Sequence, residues 1–148
     1  MSKSPLETVL TLAKRRETEV AQRLHQAEIN LETARSQLRQ IHTYRQDYHR
    51  LATGGDNGCV DSNQLQTARH FLAQLDEAAS RQERQVQQAE LLAEQQRQAW
   101  IEAQRRRKAI KDLKDLRHRE QALLDDKRQQ QVLDDAFGVR VLFSGAGA

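Results

Sequence analysis

Apolar residues recur at alternating steps of three and four along the first third of the chain. The series is Leu6, Leu10, Ala13, Val20, Leu24, Ala27, Leu31, Ala34, Leu38, Ile41 and Tyr48, with Glu17 and Arg45 as polar members. This heptad spacing predicts a helix with one narrow seam that packs against one or a few partner helices. Ser4, Pro5 and Glu7 form a capping-box signature with proline at the first helical position, so residues 1–4 precede a helix over 5–52.

A second helical pattern fills residues 63–137. Residues 65–136 contain no glycine and no proline and are rich in strong helix formers. The predicted seam is Leu65, Ala68, Leu72, Leu75, Ala79, Val86, Ala89, Ala93, Trp100, Ala103 and Ile110, with Gln82, Gln96 and Arg107 as polar members. At ~1.5 Å per residue this helix would be on the order of 100 Å long, so it must lie against another helix or project from the molecule.

Residues 53–62 separate the two patterns with three glycines and an Asn-Gly step, which predicts a loop. A loop this short joins antiparallel helices, because parallel helices need a connection as long as a helix. The sequence therefore predicts an all-α fold, a two-helix antiparallel coiled-coil hairpin in which residue i faces about residue 115 − i. The second helix is longer and overhangs the first, and we expect it to be unpaired beyond about residue 110.

The end of the chain differs in composition from both helices. Gly138 can adopt the left-handed conformation that follows a helix, so we expect the second helix to end near Phe137. Residues 139–143 have a strand-like composition and the last five residues are small. We expect residues 138–148 to form a flexible tail, with a docking peptide as the alternative.

Composition and motifs exclude several classes of protein. Charged residues make up 30% and aromatic residues 4% of the 148 residues, which is too little bulk for a globular core. Phosphate-binding loops and nucleophile or metalloprotease motifs are absent, so we expect neither an enzyme nor a cofactor. Cys59 is the single cysteine, and His42 and His49 lack a third ligand, so no metal site is expected.

Neither a membrane-spanning segment nor a secretory signal is visible in the sequence. No apolar run approaches the ~20 residues that cross a bilayer, and residues 1–4 lack an apolar segment. We therefore expect a cytoplasmic protein without direct membrane insertion.

Positive charge is concentrated after the second seam. Residues 105–120 carry a net charge of +5, whereas residues 63–104 carry −2. We define the basic collar as Arg105, Arg106, Arg107, Lys108, Lys111, Lys114 and Arg117. Lys and Arg clusters attract nucleic acid, but successive residues turn by ~100° and these seven surround the helix. That distribution favours a partner that encloses the helix, so no nucleic-acid partner is expected.

The order of several motifs resembles the flagellar FliJ family over residues 5–137. The motifs are the Tyr44 and Tyr48 pair, Phe71 and Leu72 with Leu75, Ala78 and Gln82, Trp100 before the run from Arg105 to Ala109, and the closing Leu133-Asp134-Asp135. The resemblance implies a component of the flagellar type III export apparatus at the inner face of the cell membrane. Such a stalk would insert into the hexameric export ATPase, link it to the cytoplasmic region of the export-gate membrane protein and assist export chaperones. Residues 139–148 match nothing in this pattern.

Two docking surfaces are expected from the resemblance together with the patterning. Phe71, Leu75, Ala78 and Gln82 would contact the export gate, with closure of the hairpin by Phe71 over Tyr48 and Leu51 as the alternative. The basic collar would contact the ATPase ring, with a solvated lone helix as the alternative. If the basic collar does not contact the ring, Leu113, Leu116 and Leu123 are the next candidates for the ring contact. A virulence type III stalk and a nucleic-acid-binding coiled coil are the other functions that the sequence allows.

Overall fold

The computed structural model describes residues 4–53 and 62–146, with side-chain surroundings as far as residue 140. Helix α1 spans Pro5–Ala52, the same range as predicted, and helix α2 spans Ser62–Ala146. The interior of the predicted loop, including Cys59, lies outside the described residues. No described helix has a stretch long and apolar enough to span a membrane.

The start of α1 is capped by a side chain. The Ser4 Oγ accepts a hydrogen bond from the backbone N–H of Glu7 at 3.2 Å, which satisfies a donor that has no partner within the helix. The Glu7 carboxylate lies 3.7 Å from the Nζ of Lys114 in α2. The capping residue was thus predictable from sequence, whereas the contact to the second helix was not.

The predicted seams form the interface between the helices. Every residue of both series, including the polar members, is buried or partly buried. The most buried are Val20 and Ala79 at 1% exposure and Ala93 at 2%. Most of the buried residues are alanine, and small side chains allow two helices to approach closely. The apolar interface is therefore narrow, as the mixture of leucine and alanine predicted.

Contacts across the interface show that the helices are antiparallel. Within the unit Arg16–Ala103, Arg45 contacts Asp76 at 3.5 Å, and Arg35 contacts Glu90 at 3.2 Å. Glu28 contacts Arg97 at 3.7 Å, so positions fall along α1 as they rise along α2. The other unit, Met1–Arg15 with Gln104–Ala148, contains the Glu7 contact to Lys114. The predicted two-helix antiparallel hairpin with a longer second helix is confirmed.

The predicted sum of 115 agrees with the hydrogen bond from Gln82 to the Ala34 carbonyl, whereas the ion pairs between the helices join residues with larger sums. Glu7 contacts Lys114 instead of the neighbourhood of residue 108, and Arg35 contacts Glu90 instead of that of residue 80. Side chains lean toward the N-terminus of their own helix. In an antiparallel pair, each side chain therefore reaches back along its own helix before it meets its partner. Two residues whose side chains touch thus have higher residue numbers than the two residues whose backbones lie opposite each other at that point. The predicted register was obtained by pairing backbone positions on either side of the loop, so it does not include this displacement of the side chains.

Helix α1 covers more of α2 than predicted. Ser4, Pro5 and Leu6 line one surface depression together with Arg117 and Gln121 of α2. The expectation that α2 loses its partner near residue 110 is therefore wrong. Every side chain from Asp115 to Phe137 is nevertheless exposed, including Arg117 and Gln121 at the edge of this depression. Contact between α1 and α2 thus extends about three turns further along α2 than expected, at 3.6 residues per turn.

The predicted end of α2 at Phe137 is also wrong, because the helix continues through Gly138 to Ala146. A glycine inside a helix costs about 1 kcal/mol relative to alanine, which weakens a helix without necessarily ending it. An added Cβ at Gly138 would meet nothing within 4 Å, so this glycine is not required by a close approach. Residues 139–143, expected to be a strand-like part of a flexible tail, belong to the same helix.

Candidate docking surfaces

The surface nearest the loop is built around an aromatic pair. The rings of Tyr48 and Phe71 stack with their centroids 5.4 Å apart and an interplanar angle of 18°. Phe71 nevertheless keeps 44% of its surface exposed. The ring therefore joins the two helices, as the alternative interpretation expected, and also leaves apolar surface exposed.

An apolar depression surrounds this pair. It is lined by Tyr48, Leu51, Asn63, Gln64, Thr67, Ala68 and Phe71. Tyr44, one turn before Tyr48, is 56% exposed. Exposed aromatic side chains beside a depression are typical of protein-binding surfaces, because large rings supply contact area at low entropic cost.

The other residues of the predicted export-gate stripe occupy different environments. Leu75 and Ala78 are partly exposed. Gln82 is only 9% exposed, and its Nε2 donates hydrogen bonds to the Ala34 carbonyl at 2.9 Å and the Gln37 Oε1 at 3.1 Å. The exposed part of the stripe therefore consists of Phe71, Leu75 and Ala78, while Gln82 joins the two helices beneath it.

Ion pairs beside the seam include contacts that the sequence did not indicate. The Arg39 guanidinium donates to the Glu32 Oε1 at 2.8 Å and holds the pKa of that carboxyl below its ordinary value. The Gln98 amide has the same effect on the pKa of Glu94, which also accepts from Arg97 at 2.6 Å. These charges are exposed, so they belong to a solvated surface.

The basic collar surrounds α2 only in part. Arg105, Arg106, Lys108, Lys111 and Arg117 are exposed, whereas Arg107 and Lys114 are partly buried. Lys114 contacts Glu7 at the start of α1, and Arg117 lies beside Ser4 and Leu6. The predicted all-round distribution is therefore interrupted on the side that α1 covers. The lone-helix alternative is likewise incomplete, because α1 accompanies α2 along the collar.

The described residues show no cluster that would hold a metal ion. The His42 Nδ1 lies 3.0 Å from an Arg45 guanidinium nitrogen, so this ring contacts a positively charged neighbour. Both candidate surfaces have the composition of protein-binding surfaces. The surface near the loop is aromatic and aliphatic, and the basic collar is positively charged.

Comparison with known proteins identifies a family for this chain. The model of the flagellar FliJ protein family matches residues 2–143. The chain belongs to the FliJ family. No curated protein and no solved structure matches the chain significantly.

Membership of the FliJ family makes this chain a component of flagellar type III protein export, and the family's role is non-catalytic. The match extends past residue 137, where the resemblance seen in the sequence ended. Residues 139–143 are thus part of the family pattern, in agreement with the continuation of α2 through this segment. The expectation that this part of the tail lies outside the pattern is corrected.

Proposed function

We propose that the chain is the central stalk of the hexameric export ATPase, and that it links this ring to the export gate and assists export chaperones. The observation that carries the proposal is the basic collar. Five of its seven side chains are exposed, and one of these, Arg117, lies beside the first turn of α1. A ring presents similar surfaces around one axis, and positive charge on several sides of the stalk suits such a partner.

The collar is tested by reversing exposed charges that form no ion pair among the described residues. Arg106→Glu, Lys108→Glu and Lys111→Glu together should abolish stimulation of ATP hydrolysis by the chain, because steering and contact by positive charge are lost. Lys114 is left unchanged, since its reversal would also break the contact to Glu7. Stimulation by the natural chain should fall as salt is raised.

The matched control reverses three exposed arginines elsewhere on α2. Arg69→Glu, Arg81→Glu and Arg84→Glu change the net charge by the same amount and should leave stimulation intact. Full stimulation by the collar variant at ordinary salt would contradict the proposed contact. In that case Leu113, Leu116 and Leu123 become the candidates for the ring contact.

For the export gate, we propose contact through Phe71, Leu75 and Ala78, with Gln82 holding the helices together beneath them. Phe71→Ala and Tyr48→Ala both remove the stacked pair, which is worth about 0.5–1.5 kcal/mol beyond burial. They differ in that only the first removes a residue of the stripe. Phe71→Ala should weaken binding to the cytoplasmic region of the gate protein far more than Tyr48→Ala, at similar melting temperatures. Equal losses of binding would mean that Phe71 acts by closing the hairpin.

A further inference from the structure

An apolar stripe on α2 lies on the face opposite to α1. Leu116 and Leu123 are seven residues apart, and Phe137 lies two further heptads along. These side chains are 45%, 62% and 69% exposed. At ~100° per residue, Leu116 and Leu123 lie roughly 180° around the helix from Lys114, which faces α1 through its contact to Glu7. A partner could therefore pack on this stripe without displacing α1.

Charges of alternating sign flank the stripe on both sides. Arg119 and Asp126 follow each other by seven residues on one side, and Glu120 and Lys127 do so on the other. All four are exposed. Among the described residues, none of them takes part in an ion pair. In a coiled coil, charged residues flank the apolar positions and pair with charges on the partner helix. The four charges beside Leu116 and Leu123 have this arrangement.

The order of these charges is self-complementary. In two antiparallel helices related by a two-fold axis, each flank of one copy meets the same flank of the other. With the axis at Leu123, Arg119 of one copy meets Asp126 of the other, and Glu120 meets Lys127. Each pair occurs twice because of the symmetry. Leu123 then meets itself, and Leu116 lies against Gln130.

The charges beyond the stripe favour the antiparallel over the parallel direction. Residues 125–135 carry a net charge of −2, and residues 105–120 carry +5. With the axis at Leu123, an antiparallel second copy places its residues 125–135 alongside residues 111–121 of the first, which carry a net charge of +1, and keeps the two copies of residues 105–108 apart. A parallel copy would place positive against positive, and like charges at short range repel.

We propose that residues 113–137 bind a second copy of this chain in an antiparallel two-fold contact, through Leu116 and Leu123 and the flanking pairs Arg119 with Asp126 and Glu120 with Lys127. This contact uses none of the residues proposed for the gate, and it shares Leu116 and Leu123 only with the alternative ring contact. It uses only purified chain, so its test does not depend on the proposed export partners.

The first test is the mass of the purified chain by sedimentation equilibrium. Mass should rise with concentration from 17.1 kDa toward twice that value. Leu123→Asp should weaken association at least tenfold, because it buries two carboxylates together at the axis. The matched control is Val132→Asp, since Val132 is 66% exposed but lies on the opposite face of α2. A natural chain that stays at 17.1 kDa up to several hundred micromolar would overturn the proposal.

The second test exchanges charges without altering net charge. One variant carries Arg119→Glu with Glu120→Lys, and the other carries Asp126→Lys with Lys127→Glu. Each variant alone places like charges together at four positions and should associate about tenfold more weakly. A mixture of the two restores every opposite pair and should associate as the natural chain does. Circular dichroism of each variant should show unchanged helix content, which excludes unfolding as the cause.

The charge exchange also tests whether the two α2 helices run antiparallel or parallel to each other. In a parallel contact Arg119 would meet Glu120 of the other copy, so the first variant would keep opposite charges together. Undiminished self-association of that variant would therefore overturn the antiparallel arrangement. In a Cys59→Ser background, an oxidised mixture of Leu116→Cys and Gln130→Cys chains should give mainly the mixed disulfide. Disulfides formed mainly between two Leu116→Cys chains, in place of the mixed product, would contradict the proposal.

Discussion

Gln82 is a polar residue at a seam position, between the buried residues Ala79 and Val86 along α2. Its amide nitrogen donates to the Ala34 carbonyl and to the Gln37 side chain, so it crosses the interface in place of an apolar contact. Hydrogen bonds are directional, whereas apolar contacts between alanines are not. Gln82 therefore favours one alignment of the helices over neighbouring ones.

We expect Gln82→Ala to lower the free energy of unfolding by about 1–2 kcal/mol, through lost hydrogen bonds and lost packing. Chemical denaturation monitored by circular dichroism measures this change. Gln85→Ala is the control, because Gln85 is exposed and should change the value by less than about 0.5 kcal/mol. Equal effects of the two substitutions would show that the cross-helix hydrogen bonds contribute nothing.

At the same scale, Glu32 should titrate at a lower pH than an ordinary glutamate. The hydrogen bond from Arg39 is the main cause, and it holds the pKa of Glu32 below that of an ordinary glutamate. A pKa lowered by folding contributes stability above the ordinary value, and that contribution is lost as the pH falls through the folded value. Because Glu32 is exposed, the effect on stability is small.

Carbon-detected NMR of the carboxyl groups measures this titration directly. Arg39→Gln should raise the pKa of Glu32 toward that of an ordinary glutamate. The pKa of Glu94 should stay low in the same variant, since its main cause is the hydrogen bond from Gln98. A Glu32 titration that does not move would assign the lowered pKa to another cause.

At the scale of elements, the two helices differ in how their ends are specified. α1 starts at a serine cap with proline next to it, and its start coincides with the predicted position. α2 runs through Gly138, where the same residue type could either end a helix or lie inside one. The surroundings of the residue, and not its identity, decide between the two.

Gly138→Ala distinguishes these two conformations by the sign of its effect. Inside a helix, alanine is favoured over glycine by about 1 kcal/mol, so amides near residue 138 should exchange about fivefold more slowly with solvent. The reverse change nearby, Ala136→Gly, should make them exchange faster. If Gly138 ended the helix in the left-handed conformation, alanine there would instead speed exchange.

At the scale of the whole molecule, α2 has one part that packs on α1 and one part that does not. Contacts to the start of α1 reach Gln121, and every side chain from Asp115 to Phe137 is exposed. The later part of α2 thus contributes little to the stability of the hairpin. Its exposed apolar and charged side chains are available for contacts with other chains.

A chain ending at Gln121 should therefore melt within a few degrees of the complete chain, although it would lose the proposed self-association. A chain ending at Ala103 is the comparison, and it should melt at a clearly lower temperature. It loses the part of α2 that covers Leu10 and Ala13, which are each only 7% exposed. A large drop already at Gln121 would mean that residues 122–148 support the hairpin directly.

The sequence by itself determined the fold class, the bounds of α1 and every seam position of both helices. These follow from local rules: a heptad repeat, a capping residue and a glycine-rich break act within a few turns of one helix. The family was recognisable for the same reason, because its motifs are spaced along the seams.

Only the tertiary structure decided which charged side chains pair across the interface, the extent of α2 covered by α1 and the passage of α2 through Gly138. It also showed that Gln82 is held between the helices, while Phe71 is both stacked and exposed. These properties depend on the direction in which side chains lean across an interface and on small differences between competing conformations. The residue types are the same in each competing arrangement, so the contacts made with the other helix decide which arrangement forms.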